Sequence, residues 1–532
     1  MSASLADYVT AQAERRPEAT AIVFEGDRLS YGSLEAQSNR LARLLKQAGC
    51  AKGDRVCWLG PKRPAAIISL LATYKIGAIY VPLDRLSPVA RLARMIEGCA
   101  PRVILAAGPM GGLLEALVGG GTAPGTAVGW LDAAEMTHVV PQFRLADVAT
   151  QSAAPLAPAS GGREPAHILF TSGSTGTPKG VVVGHDNVRA FVDWAVRAFG
   201  IGRADRLACH SPLHFDLSTF DLFGTFAAGA EVHLVPHRLN TLAHLTAAFI
   251  RSAALTQWCS VPSLLSYLAA FDVVRQHDFP ALRRVFWCGE VLPARTLAYL
   301  MDRLPHVRFT NLYGPTETTI ASSAFTVPER PRDMGAPIPI GTACGGEELL
   351  VLDEARQPVP AGAIGDLYIR GTGVCPGYWD DAPGTDAVFL PDPYSSDPAA
   401  RMYRTGDLAW SDDQGLLYFA GRADTQIKSR GYRIELGEIE AAAATLPCLQ
   451  DSAVVAVPTR DFAGVAICCA YVPKPQVAVS PCRIRQELGQ LLPPYMLPTR
   501  WQSLDLLPHT ETGKIDRRVI GQVFQQEPIP VA

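Results

Sequence analysis

Short apolar runs of strand type alternate with stretches whose apolar residues recur at helical spacing. Residues 20–24 and 56–59 are such runs. Between them Leu34, Leu41, Leu45 and Ala48 fall on one helical face, and Gly49 supplies the stop. Residues 65–74 are apolar all round and lead into a second run at 78–81. That pattern predicts a buried helix followed by a strand, and with Lys75 inside it, not a membrane span. Farther on, Val188, Phe191, Val192, Ala195, Val196 and Phe199 recur at i, i+3, i+4, i+7, i+8 and i+11, an amphipathic helix. Strand-like runs at 255–259, 285–288 and 307–310 are each followed by turn or helix signals. Alternation of this kind predicts an α/β layered domain whose ligands bind beyond the carboxyl ends of its strands. Residues 108–162, rich in Gly, Ala, Pro and Thr with weak periodicity, read as surface connection with short elements.

Residues 365–377 are β-rich, and the pattern changes again after Ala423. A boundary at Ala423/Asp424 gives a core domain of residues 1–423 and a compact α+β unit of residues 424–532. The second unit is expected to carry a helix at 437–444, strands at 452–457 and 465–472, a helix near 482–492 and a terminal loop at 510–517. The fold class expected is therefore α/β, with a large multi-sheet N-terminal domain of βα layers and a small α+β C-terminal domain.

A chain of 532 residues exceeds what one core organises, and 48% hydrophobic with 19% charged residues is an ordinary globular balance. The net charge of -3 leaves no basic footprint for nucleic acid. Twelve scattered cysteines, without a C-x-x-C pair or zinc spacing, indicate neither a metal site nor a disulfide framework, and fit reduced thiols in a cytoplasm. The first residues lack the order of a signal peptide. Small-molecule or protein partners are expected, not nucleic acid or membrane.

The most informative stretch is Thr171-Ser172-Gly173-Ser174-Thr175-Gly176-Thr177-Pro178-Lys179, set between two apolar strand-like runs. Glycines let backbone N–H groups turn toward an anion, hydroxyls add donors, and the lysine adds a mobile positive charge. A P-loop would require Lys-[Ser/Thr] entering a helix, whereas Lys179 is followed by Gly180 and valines. A flexible linker would seldom be wedged between two strands. Four further residues are candidates for the same chemistry. Tyr313 is flat enough to stack on a purine or simply to pack in a loop, and Glu317 can hold Mg2+ or cap a helix. Asp407, in Thr-Gly-Asp, can accept from ribose hydroxyls or close a turn. Lys514, in Thr-Gly-Lys, can neutralise charge where a carboxylate meets a phosphate, or be a solvated turn lysine.

Together with Gly314-Pro315-Thr316-Glu317 and Lys428-Ser-Arg-Gly431, these motifs resemble the adenylate-forming superfamily of acyl-CoA synthetases, luciferases and amino-acid adenylation domains, in the family's order from about Leu29 to Arg517. The resemblance implies that Thr171, Ser172, Gly173, Ser174, Thr175, Gly176 and Lys179 bind the phosphates of ATP, with Tyr313, Gly314 and Thr316 beside the nucleotide. It implies that Glu317 serves Mg2+, that Asp407 and Arg422 hold the ribose, and that Lys514 is the catalytic lysine, with Thr171 and Glu317 also at the reacting centre. Asp424 falls at the family's hinge, and the C-terminal domain would act as a mobile lid. Val374-Cys375-Pro376-Gly377 departs from the family, which usually has Ala-Arg where this chain has Cys-Pro.

Phe215-Asp216-Leu217-Ser218 distinguishes activators of amino acids from those of fatty or aryl acids. An aspartate in an apolar pocket needs a partner, and a substrate ammonium is the natural one; a helix N-cap is the plainer alternative. The resemblance places Phe215, Asp216, Leu217, Phe220, Cys259, Phe286, Cys288, Leu312, Ile320 and Ala321 around the substrate. None but Asp216 is charged, which fits a small to medium neutral amino acid. The motifs are similar to those of D-alanine:carrier-protein ligases, prolyl activators and activators of β-amino acids alike. No carrier-type Gly-Gly-[Asp/His]-Ser-Leu motif occurs, and 18 residues follow Lys514, so a phosphopantetheinyl carrier protein is expected in trans. An acyl-CoA synthetase and a non-catalytic nucleotide-binding regulator are the rival readings.

Overall fold

The computed structural model describes all residues except 1–2, 123, 135–136, 160, 174–175, 460–463, 478, 511–513 and 527–532, and except the side chains of 240–241. Ser174 and Thr175, expected to bind phosphates, thus lie outside the described residues. Contacts divide the chain into two units. The first comprises 1–85, 96–170 and 180–423, and the second 86–95, 171–179 and 424–532.

The first unit is built on two large sheets. One runs, edge to edge, through Thr342–Ala343, Ser323–Thr326, Arg308–Tyr313, Arg284–Trp287, Gln257–Ser260, Arg206–Cys209, Glu231–Leu234, Thr20–Phe24 and Asp27–Ser30. Its middle strands are parallel, from Arg308–Tyr313 across to Thr20–Phe24. The second sheet runs Gly377–Tyr378, Lys179–Gly184, Pro165–Thr171, Ile79–Pro82, Arg55–Leu59, Val103–Ala106, Ala127–Trp130 and Phe143–Arg144. The strands predicted at 20–24, 56–59 and 78–81 are present, as are the helices Tyr31–Gln47, Pro64–Lys75 and His185–Phe199. One apolar cluster, from Leu34 and Trp58 to Leu207 and Phe286, joins residues of both sheets.

The region 108–162 departs from the expected surface connection. Ala127–Trp130 is an inner strand of the second sheet, and Trp130 is fully buried. Its glycines and alanines weakened the apolar signal without removing the strand from the core. Beyond the two large sheets, Glu347–Leu352, Gly365–Gly371, Arg401–Ser411 and Phe389–Pro391 form an antiparallel sheet, with Leu417–Arg422 paired to Arg401–Ser411.

In the second unit the hairpin Gln426–Ser429/Tyr432–Glu435 turns through Arg430 and Gly431, both left-handed, and leads into the helix Leu436–Ala444. The sheet Leu449–Pro458, Val465–Pro473 and Arg500–Ser503 and the helix Pro481–Leu488 follow. Arg517, expected to end a loop, instead opens an amphipathic helix, Arg517–Gln526, whose Ile520 and Phe524 are fully buried. Eleven of the twelve cysteines are buried, and Cys482 is exposed. No helix among the described residues is long and apolar enough to cross a membrane.

Candidate active site

Parallel strands ending side by side present their last side chains to one crevice. Cys259 and Phe286 are register partners on adjacent strands, and Leu312 lies near the end of the next one. Cys288 follows directly after its strand, and its thiol reaches the Ile320 carbonyl at 3.9 Å. Leu217, Phe220, Cys259, Phe286, Cys288, Leu312, Ile320 and Ala321 are all buried in one apolar cluster. Eight of the ten residues expected to surround a substrate are thus brought together; Phe215 and Asp216 lie outside this cluster.

The far side of this cluster is aromatic. Phe220 meets Phe286 and Phe191 edge to face, each with ring centroids 5.5 Å apart, and Phe199 lies 4.8 Å from Phe286. Behind Phe286, the Arg284 guanidinium stands 5.7 Å from the ring centre and donates to the Thr310 hydroxyl at 3.1 Å.

Asp216 occupies the N-cap position of the helix Leu217–Ala228, but its carboxylate makes no capping hydrogen bond. Phe215 precedes it, half-buried. The Asp216 charge is felt inside the cluster. Desolvation pushes the Cys259 thiol well up from its ordinary range, and Asp221, Cys288 and Asp216 push it further. Burial does the same to Cys375, where a hydrogen bond with Thr319 opposes the charges of Glu317 and Asp216.

Cys375, the departure from the family pattern, is therefore a residue of the site that pattern reasoning did not place there. Its amide donates to the Glu317 carbonyl at 2.9 Å, and its thiol lies 3.4 Å from the Thr319 hydroxyl. Thr319 and Ile320 have φ of 60° and 70°, a region that β-branched residues avoid. Consecutive strained residues of this kind persist only where their surroundings hold them, as the Thr319 hydroxyl does by donating to the Gly373 carbonyl at 2.7 Å.

Glu317, 1% exposed, accepts from the Tyr378 hydroxyl at 2.8 Å. Tyr378 was not foreseen; it stands in the Gly377-Tyr378 pair just past Cys375. Gly314 leaves no room for a side chain, since a Cβ there would lie 2.6 Å from Cα of Ala321. Tyr313, which follows Leu312 on the strand, donates its hydroxyl to Asp407 at 2.5 Å. Asp407 also receives the Arg422 guanidinium, its register partner on the neighbouring strand. Buried Tyr313 and Asp407 and half-buried Arg422 thus form one polar group, with Thr316 in the short 3-10 turn beyond it.

In the second unit Thr171 and Lys179 flank the loop expected to bind phosphates, and the Thr171 hydroxyl lies 3.5 Å from the Lys179 carbonyl. Ser172 donates to the Arg433 carbonyl at 2.7 Å. A Cβ on Gly173 would lie 2.0 Å from the Thr177 carbonyl oxygen, and Gly176 has φ of 82°, so both positions require glycine. Lys514 is exposed; its amide donates to the Thr510 hydroxyl at 3.2 Å, and its carbonyl accepts from the Thr510 amide at 2.7 Å. Asp424 accepts from the Gln426 amide at 3.0 Å.

Comparison with known proteins decides the family. The pattern of the AMP-binding enzymes matches residues 9–379, and that of the AMP-binding enzyme C-terminal domain matches residues 438–514. The chain belongs to the AMP-binding enzyme family. Among its relatives is an L-proline--[L-prolyl-carrier protein] ligase of Pseudomonas fluorescens, 33% identical over 96% of this chain and 97% of the relative. A dimodular nonribosomal peptide synthase of Bacillus subtilis is 35% identical over 97% of this chain, which spans only 21% of that protein's length. The amide bond synthetase McbA from Marinactinospora thermotolerans superposes with a TM-score of 0.86 at 25% identity, covering 98% of this chain and 100% of that one. The chain thus has the α/β fold with a smaller C-terminal domain found in the AMP-binding enzymes, the family its sequence motifs resembled.

Proposed function

We propose that the protein activates a small to medium neutral amino acid with ATP and transfers it to the phosphopantetheine thiol of a carrier protein in trans. The substrate carboxylate attacks the α-phosphorus of ATP, pyrophosphate leaves, and the thiol then attacks the acyl carbon and releases AMP. Asp216 carries this reading. A half-buried carboxylate whose charge reaches the Cys259 thiol, and which is not spent on capping its own helix, suits a substrate ammonium. The aromatic wall of Phe220 and Phe286 favours a short uncharged side chain.

Adenine and ribose are assigned to Tyr313, Asp407 and Arg422, with Gly314 and Thr316 beside them, and the phosphates to residues 171–179. Lys514 bridges carboxylate and phosphate charge in the first half-reaction. The domains are assigned as 1–423 and 424–532, with Asp424 as the hinge on which the second half-reaction depends. Mg2+ fits Glu317, a buried carboxylate oriented by the Tyr378 hydroxyl, because Mg2+ is commonly held by one or two carboxylates together with substrate phosphates, whose charge it neutralises. We place the reaction in the cytoplasm, with no role for nucleic acid or a membrane.

The test is amino-acid-dependent pyrophosphate exchange over D-, L- and β-amino acids and their des-amino analogues, followed by loading of carrier protein, coenzyme A or an amine. Exchange with a small neutral amino acid and thioester on the carrier protein are expected. Exchange with des-amino acids alone would make the protein an acyl-CoA synthetase, and none at all a nucleotide-binding regulator.

A further inference from the structure

Lys62 lies in the loop between the strand Arg55–Leu59 and the helix Pro64–Lys75, far in sequence from the substrate motif. Its ammonium donates to three successive carbonyls, those of Cys209, His210 and Ser211, at 2.5, 2.7 and 2.9 Å. An ammonium has three N–H donors, so all three are used. The carbonyls stand where the strand Arg206–Cys209 ends and the chain turns toward Asp216.

The loop that carries Lys62 is itself held. A Cβ on Gly60 would lie 2.9 Å from the Trp58 ring and 3.0 Å from the Ala107 carbonyl oxygen. Arg63 pairs with Asp132 at 2.7 Å, and Asp132 in turn accepts from the Gly108 amide at 2.9 Å. Lys62 therefore reaches from a fixed base to the backbone of residues 209–211.

Asp221 completes the arrangement from the other end. It is 1% exposed, lies in the helix that Asp216 begins, and accepts from the His210 amide. Burial raises its acid range well above the ordinary one, and Lys62 opposes that; desolvation lowers the Lys62 range, and Cys209 and Asp221 oppose it. The Cys259 thiol of the pocket senses both Asp221 and Asp216.

We infer that Lys62 is a positioning residue for the acid-binding loop: by clamping the carbonyls of residues 209–211 and facing Asp221, it fixes where Asp216 enters the pocket. It touches neither substrate nor nucleotide in this account. The inference deepens the amino-acid reading and rests on it for the role of Asp216.

The experiment compares wild type, Lys62→Met and Lys62→Gln in pyrophosphate exchange, with melting curves to establish that each is folded. It uses whichever carboxylic acid the wild type activates. A wild type that accepts only des-amino acids would therefore sink the amino-acid reading while the Lys62 comparison still reads out. Expected for Lys62→Met is a KM for the acid raised at least about tenfold, as when a buried charged hydrogen-bond donor is lost, with the KM for ATP within about threefold. Lys62→Gln, which keeps two amide donors without the charge, should recover part of the loss. Equal rises in both KM values, an unchanged KM for the acid, or failure of both variants to fold would overturn the assignment and leave Lys62 a purely structural residue.

Discussion

The hydroxyl of Tyr378 donates to Oε1 of Glu317 at 2.8 Å, joining two residues 61 positions apart, both buried. Hydrogen bonds to charged groups contribute roughly 1.5–3 kcal/mol. Tyr378→Phe keeps the ring and removes this bond, so Glu317 loses its orientation but not its charge. Steady-state exchange should show kcat/KM for Mg-ATP lower by on the order of 10- to 100-fold. Binding of the amino acid should be little changed.

Asp216→Ala removes the proposed partner of the substrate ammonium. Breaking a buried pair from one side costs roughly 3 to 5 kcal/mol, on the order of 100- to 4,000-fold in kcat/KM for the amino acid. Wild type should reject the des-amino analogue strongly, and the variant should lose most of that preference. Exchange within a few-fold of wild type would return the substrate to the acyl or aryl acids.

Glu347 gives a pH prediction. Burial pushes its carboxyl up to about 7 from 4.5, against hydrogen bonds from the Gly373 amide and the Thr372 hydroxyl, while its second oxygen is buried without a partner. The folded protein binds this proton more tightly than the unfolded chain. The associated stability is therefore present below about pH 4.5 and is lost as pH rises through about 7. Glu347→Gln stays neutral throughout, so its thermal stability should exceed wild type above pH 7, by about 1–3 kcal/mol, and converge with it near pH 4.5. Melting curves from pH 4.5 to 8.5 test this. Parallel curves for the two proteins would show that the proton affinity of Glu347 does not rise on folding.

Lys514→Ala should remove most pyrophosphate exchange, since losing one preorganised electrostatic contact costs on the order of 100- to 1,000-fold. Transfer from a supplied aminoacyl-adenylate should survive. Equal loss in both halves would make Lys514 structural.

Much of the fold was legible because its elements are local. The face of Leu34, Leu41 and Leu45 and the spacing from Val188 to Phe199 each signal their own helix, and both helices are present. The strand Ala127–Trp130 was missed because small residues carry little apolar signal, although the sheet around them buries Trp130 completely. The helix Arg517–Gln526 was missed for a different reason, its charged and polar residues outweighing the two that are buried. For the site, the motif residues came from the resemblance, and the structure brings the apolar part of the expected pocket, without Phe215 and Asp216, into one cluster. What no spacing rule carries is contact across long separations. Tyr378 reaching Glu317, Cys375 reaching Thr319 and Lys62 reaching Cys209 are products of strand order, and they appear only when the sheets are assembled.

The burial of eleven thiols makes this protein chemically simple where its composition looks complicated. A maleimide dye added to the native enzyme should react at Cys482 alone, on the helix Pro481–Leu488 of the second unit, while Cys259, Cys288 and Cys375 are buried out of reach, and burial also holds the Cys259 and Cys375 thiols above their ordinary range. The unmodified chain thus carries a single attachment point for a spectroscopic probe. Loss of that selectivity, with more than one dye per chain, would be an early and inexpensive sign that the core has opened.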